Sequence, residues 1–69
     1  MSDSVYKLIE IVGTSPDSWD KAAANAVDKA GSTLRDLRIA EVTDQDLVIE
    51  GGKVSQYRVK LKISMKLED

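Results

Sequence analysis

From Tyr57 to Leu67 the chain alternates without a break. Tyr57, Val59, Leu61, Ile63, Met65 and Leu67 are apolar, and Arg58, Lys60, Lys62, Ser64 and Lys66 fall between them. A period of two predicts a β-strand with one dry face and one wet face. Extended, these eleven residues reach about 36 Å. A compact monomer of this length has a radius of gyration near ~11 Å, hence a diameter of about 28 Å. Such a strand cannot shelter all of its dry face within one copy. The pattern therefore predicts self-association.

Upstream, Val5 to Val12 is β-branched and apolar with two charges, a short strand. Val5, Lys7, Ile9 and Ile11 share one face, and Tyr6, Leu8, Glu10 and Val12 share the other. Both faces are mostly apolar, which predicts cover on both sides. Gly13-Thr14-Ser15 is expected to break the strand. Ser15-Pro16 predicts a helix start, with serine as cap and proline in the first helical position. Asp17 and Asp20 add negative charge where the helix dipole favours it. Trp19, Ala22, Ala23, Ala26, Val27 and Ala30 then form one apolar stripe at helical spacing. Being mostly alanine, the stripe lets the helix lie close on a sheet. Gly31 is expected to end or weaken the helix, with Leu34 and Leu37 extending the apolar row.

Arg38 to Glu50 predicts a second strand, and Gly51-Gly52 a two-residue hairpin turn into the third. In an unbroken register Glu50 faces Lys53, Gln45 faces Arg58, Thr43 faces Lys60 and Glu41 faces Lys62. Val42 then meets Leu61 and Ala40 meets Ile63 on the dry face, as burial requires. The same register puts Asp44 and Asp46 on that dry face, where carboxylates do not belong. Either a β-bulge turns them outward, or they meet partners or a cation at a subunit junction. The element order β–α–β–β predicts an α+β fold in which a curved three-stranded antiparallel sheet holds one helix on its dry side.

Composition narrows the chemistry. Sixty-nine residues make one domain with a marginal core unless something staples it. There is no cysteine and no histidine, which excludes disulfides, structural zinc on those ligands and nucleophile–imidazole catalysis. No Gly-rich phosphate loop is present, so no catalytic residue is assigned and an enzyme is not expected. A net charge of −2 with interleaved signs argues against nucleic acid or an anionic membrane as partner. Lys7 and Glu10 interrupt the first apolar run, so it reads neither as a signal peptide nor as a span. The expected location is cytoplasmic. The basic row Arg58, Lys60, Lys62 and Lys66 reads either as a solvated face balanced by Glu41 and neighbouring acids or as an attractor for an anionic ligand.

In its sum the chain resembles the dodecins. The carrying residues are Val12-Gly13-Thr14-Ser15, Pro16-Asp17-Ser18-Trp19 with the alanine stripe, Thr33-Leu34-Arg35, Ala40-Glu41-Val42, and the Tyr57 strand closing in Met65-Lys66-Leu67-Glu68. The likeness spans essentially the whole chain. It implies a sheet wrapped partly around the helix and a hollow homododecamer of cubic symmetry that binds small ligands, best known as riboflavin or FMN. Flavin-binding members stack paired rings on a tryptophan after the helix-to-strand turn, a position that falls on Ile39. A glutamine on their third strand, which bonds the ring edge, falls on Arg58. Ile39 offers no stacking quadrupole, and Arg58 brings charge. Trp19 lies on the helix stripe, where a core role is expected instead of ligand stacking. Ser18-Trp19, Arg38-Ile39-Ala40 and Gln45-Asp46 are similar to the calcium dodecin branch. Ile39, Arg58 and Gln45 are thus the candidates near a ligand pocket. For calcium, which takes six to eight oxygens, the candidates are Asp44 and Asp46, with Glu41 or Glu10 of a neighbour. The resemblance leaves three readings: a calcium-associated shell, a flavin store, or a shell or adaptor without ligand.

Overall fold

The computed structural model describes residues 3–67; Glu68 of the closing motif lies outside them. Four elements follow the expected order: β1 (Tyr6–Ser15), α1 (Trp19–Thr33), β2 (Leu37–Glu50) and β3 (Lys53–Lys66). The alternating ribbon is the central strand. The sheet order is β1-β3-β2, and both pairings are antiparallel. Val59, Leu61 and Ile63 of β3 point at α1 and are 1%, 2% and 1% exposed. Ala22, Ala26 and Ala30 of α1 complete the buried core, and Ile9, Ile11, Trp19, Ala23, Leu34 and Leu37 pack around it. Among the described residues, no helix is long and apolar enough to cross a membrane.

β1 departs from its expected end. Gly13, Thr14 and Ser15 continue the ladder opposite Val59, Arg58 and Tyr57. Gly13 is present for closeness, since α1 crosses β1 there. A Cβ on Gly13 would collide with the Ala22 carbonyl oxygen and stand 2.8 Å from the Ala26 Cβ. The cap moves accordingly. Ser15 is buried in the strand, and its Oγ accepts the Asp17 N–H at 3.0 Å, holding the Pro16 corner. Ser18 is the N-cap, with extended backbone and its Oγ accepting the Lys21 N–H at 3.0 Å. Asp20 alone of the two expected acids lies in the first turn, while Asp17 precedes the helix.

At the far end α1 passes through Gly31 to Thr33. The Ser32 and Thr33 hydroxyls donate to the Lys29 and Ala30 carbonyls at 2.7 and 3.4 Å, which satisfies acceptors of the last turn. Asp36, with φ 58°, then swings the chain into β2.

Within one chain β1 is covered on one face only. Ile9 and Ile11 pack toward the helix, but Tyr6, Leu8 and Val12 on the other face are 45%, 58% and 52% exposed. One chain has no second layer with which to cover them. The radius of gyration is 14.3 Å and the extents are 54 × 20 × 14 Å, against the ~11 Å expected of a compact chain. A single copy is a long, half-dressed plank.

Gly13→Ala forces the helix off the sheet. Overpacking of this kind costs about 1–3 kcal/mol, and the expected result is a lower melting temperature by differential scanning calorimetry.

Candidate functional site

The β2–β3 hairpin carries all the candidate site residues except Glu10, which lies on β1. Gly51 and Gly52 both take positive φ, 59° and 77°, and Glu50 pairs with Lys53 as expected. Near the base, Glu41 faces Lys62, Val42 faces Leu61 and Ala40 faces Ile63, again as expected. Between these ends the register slips by one residue. Asp44 faces Lys60, Gln45 faces Val59 and Asp46 faces Arg58, with irregularities at Val42/Asp44 and at Val48/Ile49. This replaces the expected pairings of Thr43 with Lys60 and Gln45 with Arg58. The bulge reading holds: an extra residue at Thr43 turns both aspartates out of the dry face. The Thr43 hydroxyl donates to the Lys60 carbonyl at 3.2 Å and stitches the bulge to β3.

The second shift restores the turn.

Asp46 is the most engaged of these acids. Arg58 Nε and Nη2 donate to its two carboxylate oxygens, each at 2.7 Å, on a part-buried surface. The hydrogen bonds from Arg58 hold the Asp46 carboxyl below its ordinary range, against a smaller opposing push from burial. The same bonds raise Arg58. On the other side of the strand the Trp19 indole N–H donates to the Asp46 carbonyl at 3.2 Å. Trp19 also meets Tyr57 edge to face at 5.3 Å. Trp19 therefore braces the bulge from inside the core, a role invisible in sequence until the register is known.

The outer face of the sheet is electrically paired. Arg58, Lys60 and Lys62 run down its centre on β3, with Asp46, Asp44 and Glu41 beside them on β2 and Glu10 beside Lys62 on β1. The solvated, balanced reading of the basic row is what this arrangement supports. It also bears on calcium. The three candidate acids share a face, but each stands opposite a cation, and both oxygens of Asp46 are taken. Among the described residues no three or more acidic side chains gather closely enough to hold a metal ion. The described donor set of one chain does not fit calcium by itself.

The pocket candidates are not brought together either. Ile39, 67% exposed, stands opposite Ser64 on the outer face, six residues along β3 from Arg58, which is about 20 Å. Gln45 lies opposite buried Val59, on the helix side. A recess of about 330 Å³ between β1 and α1, lined by Ile11, Ala26, Ala30 and Leu34 among others, contains none of the six candidates.

Comparison with known proteins agrees on one family. The family model described as Dodecin matches residues 5–68. The chain is 47% identical over 64 residues to the protein named calcium dodecin of Mycobacterium tuberculosis, covering 93% of this chain and 90% of that one. Its fold matches the structure of dodecin from Streptomyces coelicolor with a TM-score of 0.93 and 46% identity, covering 100% and 99% of the two chains. It matches the crystal structure of the M. tuberculosis calcium dodecin, described as calcium-chelating with a novel calcium-binding site, with a TM-score of 0.84 and 46% identity over 94% and 93%.

Because the Asp46 carboxyl is held low, the pair's stabilisation is complete above the ordinary carboxylate pKa of about 3.9 and fades as pH falls through the depressed native value. Acid titration of wild type and Asp46→Asn, followed by circular dichroism, is expected to show the variant's deficit at neutral pH and convergence of the two below that range.

Proposed function

The chain belongs to the dodecin family, and from that premise we propose that it is a non-enzymatic, homo-oligomeric shell that binds calcium. The observation that carries the assembly is the undressed subunit. Among the described residues only six apolar side chains are buried, while Ile39, Val42, Ile49, Val54, Leu8 and Val12 remain 46–67% exposed. That apolar area finds cover on sister copies, and a hollow dodecamer is the assembly we infer.

Calcium is supported by the two calcium dodecin comparisons and constrained by the site. Since one chain gathers too few oxygens, calcium is held where carboxylates of more than one copy meet. Asp46 is committed to Arg58, which leaves Asp44 and Glu41 on the outer face as the available acids. The absence of histidine and cysteine agrees with a binding role instead of catalysis.

Native mass spectrometry is expected to return a multiple of the subunit mass, and the mass of a lone subunit would remove the shell. Calorimetry with calcium after chelator treatment is expected to give a saturable heat. The Asp44→Asn, Glu41→Gln variant should weaken binding by about tenfold, or about 1.4 kcal/mol. A flat trace would remove calcium; quenching of riboflavin fluorescence at micromolar protein would then move the assignment to the flavin store, and no response to either would leave a shell without ligand.

A further inference from the structure

The slipped segment of the β2–β3 ladder has two ends. At one, β2 holds the extra residue, Thr43. At the other, Val48 faces Gln56 and Ile49 faces Val54, so the extra residue is Ser55 of β3. Each bears a hydroxyl that crosses the ladder. Thr43 donates to the Lys60 carbonyl at 3.2 Å and Ser55 to the Val48 carbonyl at 3.3 Å. With one bulge on each strand, the two cancel. A bulge-free ladder fits between the Val42–Leu61 and Ile49–Val54 pairs without moving either. In that ladder Asp44 and Asp46 turn to the apolar face. Cover by α1 decides little between the two, since the helix scarcely reaches β2 and Val42 and Leu47 are 48% and 40% exposed. Asp46 decides. Its carboxylate accepts both Arg58 bonds, and its carbonyl accepts the Trp19 indole N–H. Sliding by one residue turns that side chain to the other face and that carbonyl to the other edge of the strand. All three bonds then break together.

We propose that Trp19 and Arg58 are positioning residues for calcium: by clasping Asp46 from both sides they select the slipped ladder, and so hold Asp44 on the outer face for the ion. The proposal rests on the calcium reading and adds to it the device that presents the ligand. Neither residue contacts the ion. Trp19 acts from within the core, through the backbone of β2, and reaches Asp44 only by fixing the register. Arg58 has two effects of opposite sign. As a charge beside the acids it repels calcium, and as a clasp it favours calcium by keeping Asp44 outward. Removing the competing ladder removes the second effect and leaves the first.

Deleting both Thr43 and Ser55 leaves the native pairs in a straight ladder with no bulge, and so with no second register to adopt. Deleting either alone leaves the strands one residue out of step. Each single deletion is expected to lower the melting temperature by about 5 °C or more, and the double deletion to recover at least half of that loss. These measurements need no calcium. Calorimetry with calcium on the chelator-treated assembly then tests the clasp. Trp19→Phe keeps an aromatic ring beside Tyr57 but loses the indole N–H, and is expected to weaken binding by about fivefold, the scale of one hydrogen bond. In the doubly deleted chain the same substitution is expected to change nothing. Arg58→Gln is expected to weaken binding in the native chain and to strengthen it in the doubly deleted one. If the second deletion does not rescue the first, the cancelling bulges are overturned. If Trp19→Phe binds as wild type does, or loses as much in the doubly deleted chain, the positioning role is overturned and the calcium reading stands. Arg58→Gln with the same sign in both chains also overturns the role of the clasp. A flat wild-type trace overturns the calcium reading and the positioning role together.

Discussion

The structure depends on a mismatch of widths. One helix of 15 residues, about 22 Å long, serves a sheet whose two longest strands have 14 residues each, about 46 Å. The alanine face brings α1 close enough to lock onto β1 and β3, with Gly13 as the point of nearest approach. It scarcely reaches β2. Val42, Leu47 and Ile49 of that strand are 48%, 40% and 66% exposed, although Val42 stands opposite the core residue Leu61. A core this small is marginal alone. In the proposed shell, cover from sister copies completes the fold as well as building the assembly.

The bulge at Thr43 solves a different problem on the same hairpin. In straight register Asp44 and Asp46 would enter the apolar face, and an unpaired buried carboxylate costs several kcal/mol. One extra residue turns both toward Lys60 and Arg58. The strand resets before the turn, so Gly51-Gly52 still closes on Glu50 and Lys53. The result is a sheet with two distinct surfaces. One is apolar and partly capped by the helix, and the other is a column of cations flanked by acids and broken by a single apolar row. That second surface explains why the acids do not form a metal site within one chain.

Much of this was legible in the chain. The alternation from Tyr57 onward gave the central strand, the alanine stripe gave the helix and its close packing, and the double glycine set the register at both ends of the hairpin. The misplaced aspartates were themselves the signal for the bulge. Three features were not legible, each because a long-range contact overrode local chemistry. Gly13-Thr14-Ser15 has turn composition, but pairing with β3 holds it extended. Ser15 looks like a cap, yet the strand claims it and passes the role to Ser18. Apolar residues on both faces of β1 suggested two layers, whereas the second layer is not part of the same chain. The site was the least legible part. Ile39, Arg58 and Gln45 come from distant points and opposite faces, which no local pattern reports.

Trp19 has a consequence of its own. It is the sole tryptophan, its indole bonded to the Asp46 carbonyl and set edge-on to Tyr57. The molecule thus carries one indole fluorophore, seated where helix and hairpin converge. Its emission reports whether that junction is intact. Loosening where helix and hairpin meet thus becomes visible by light within the fold itself.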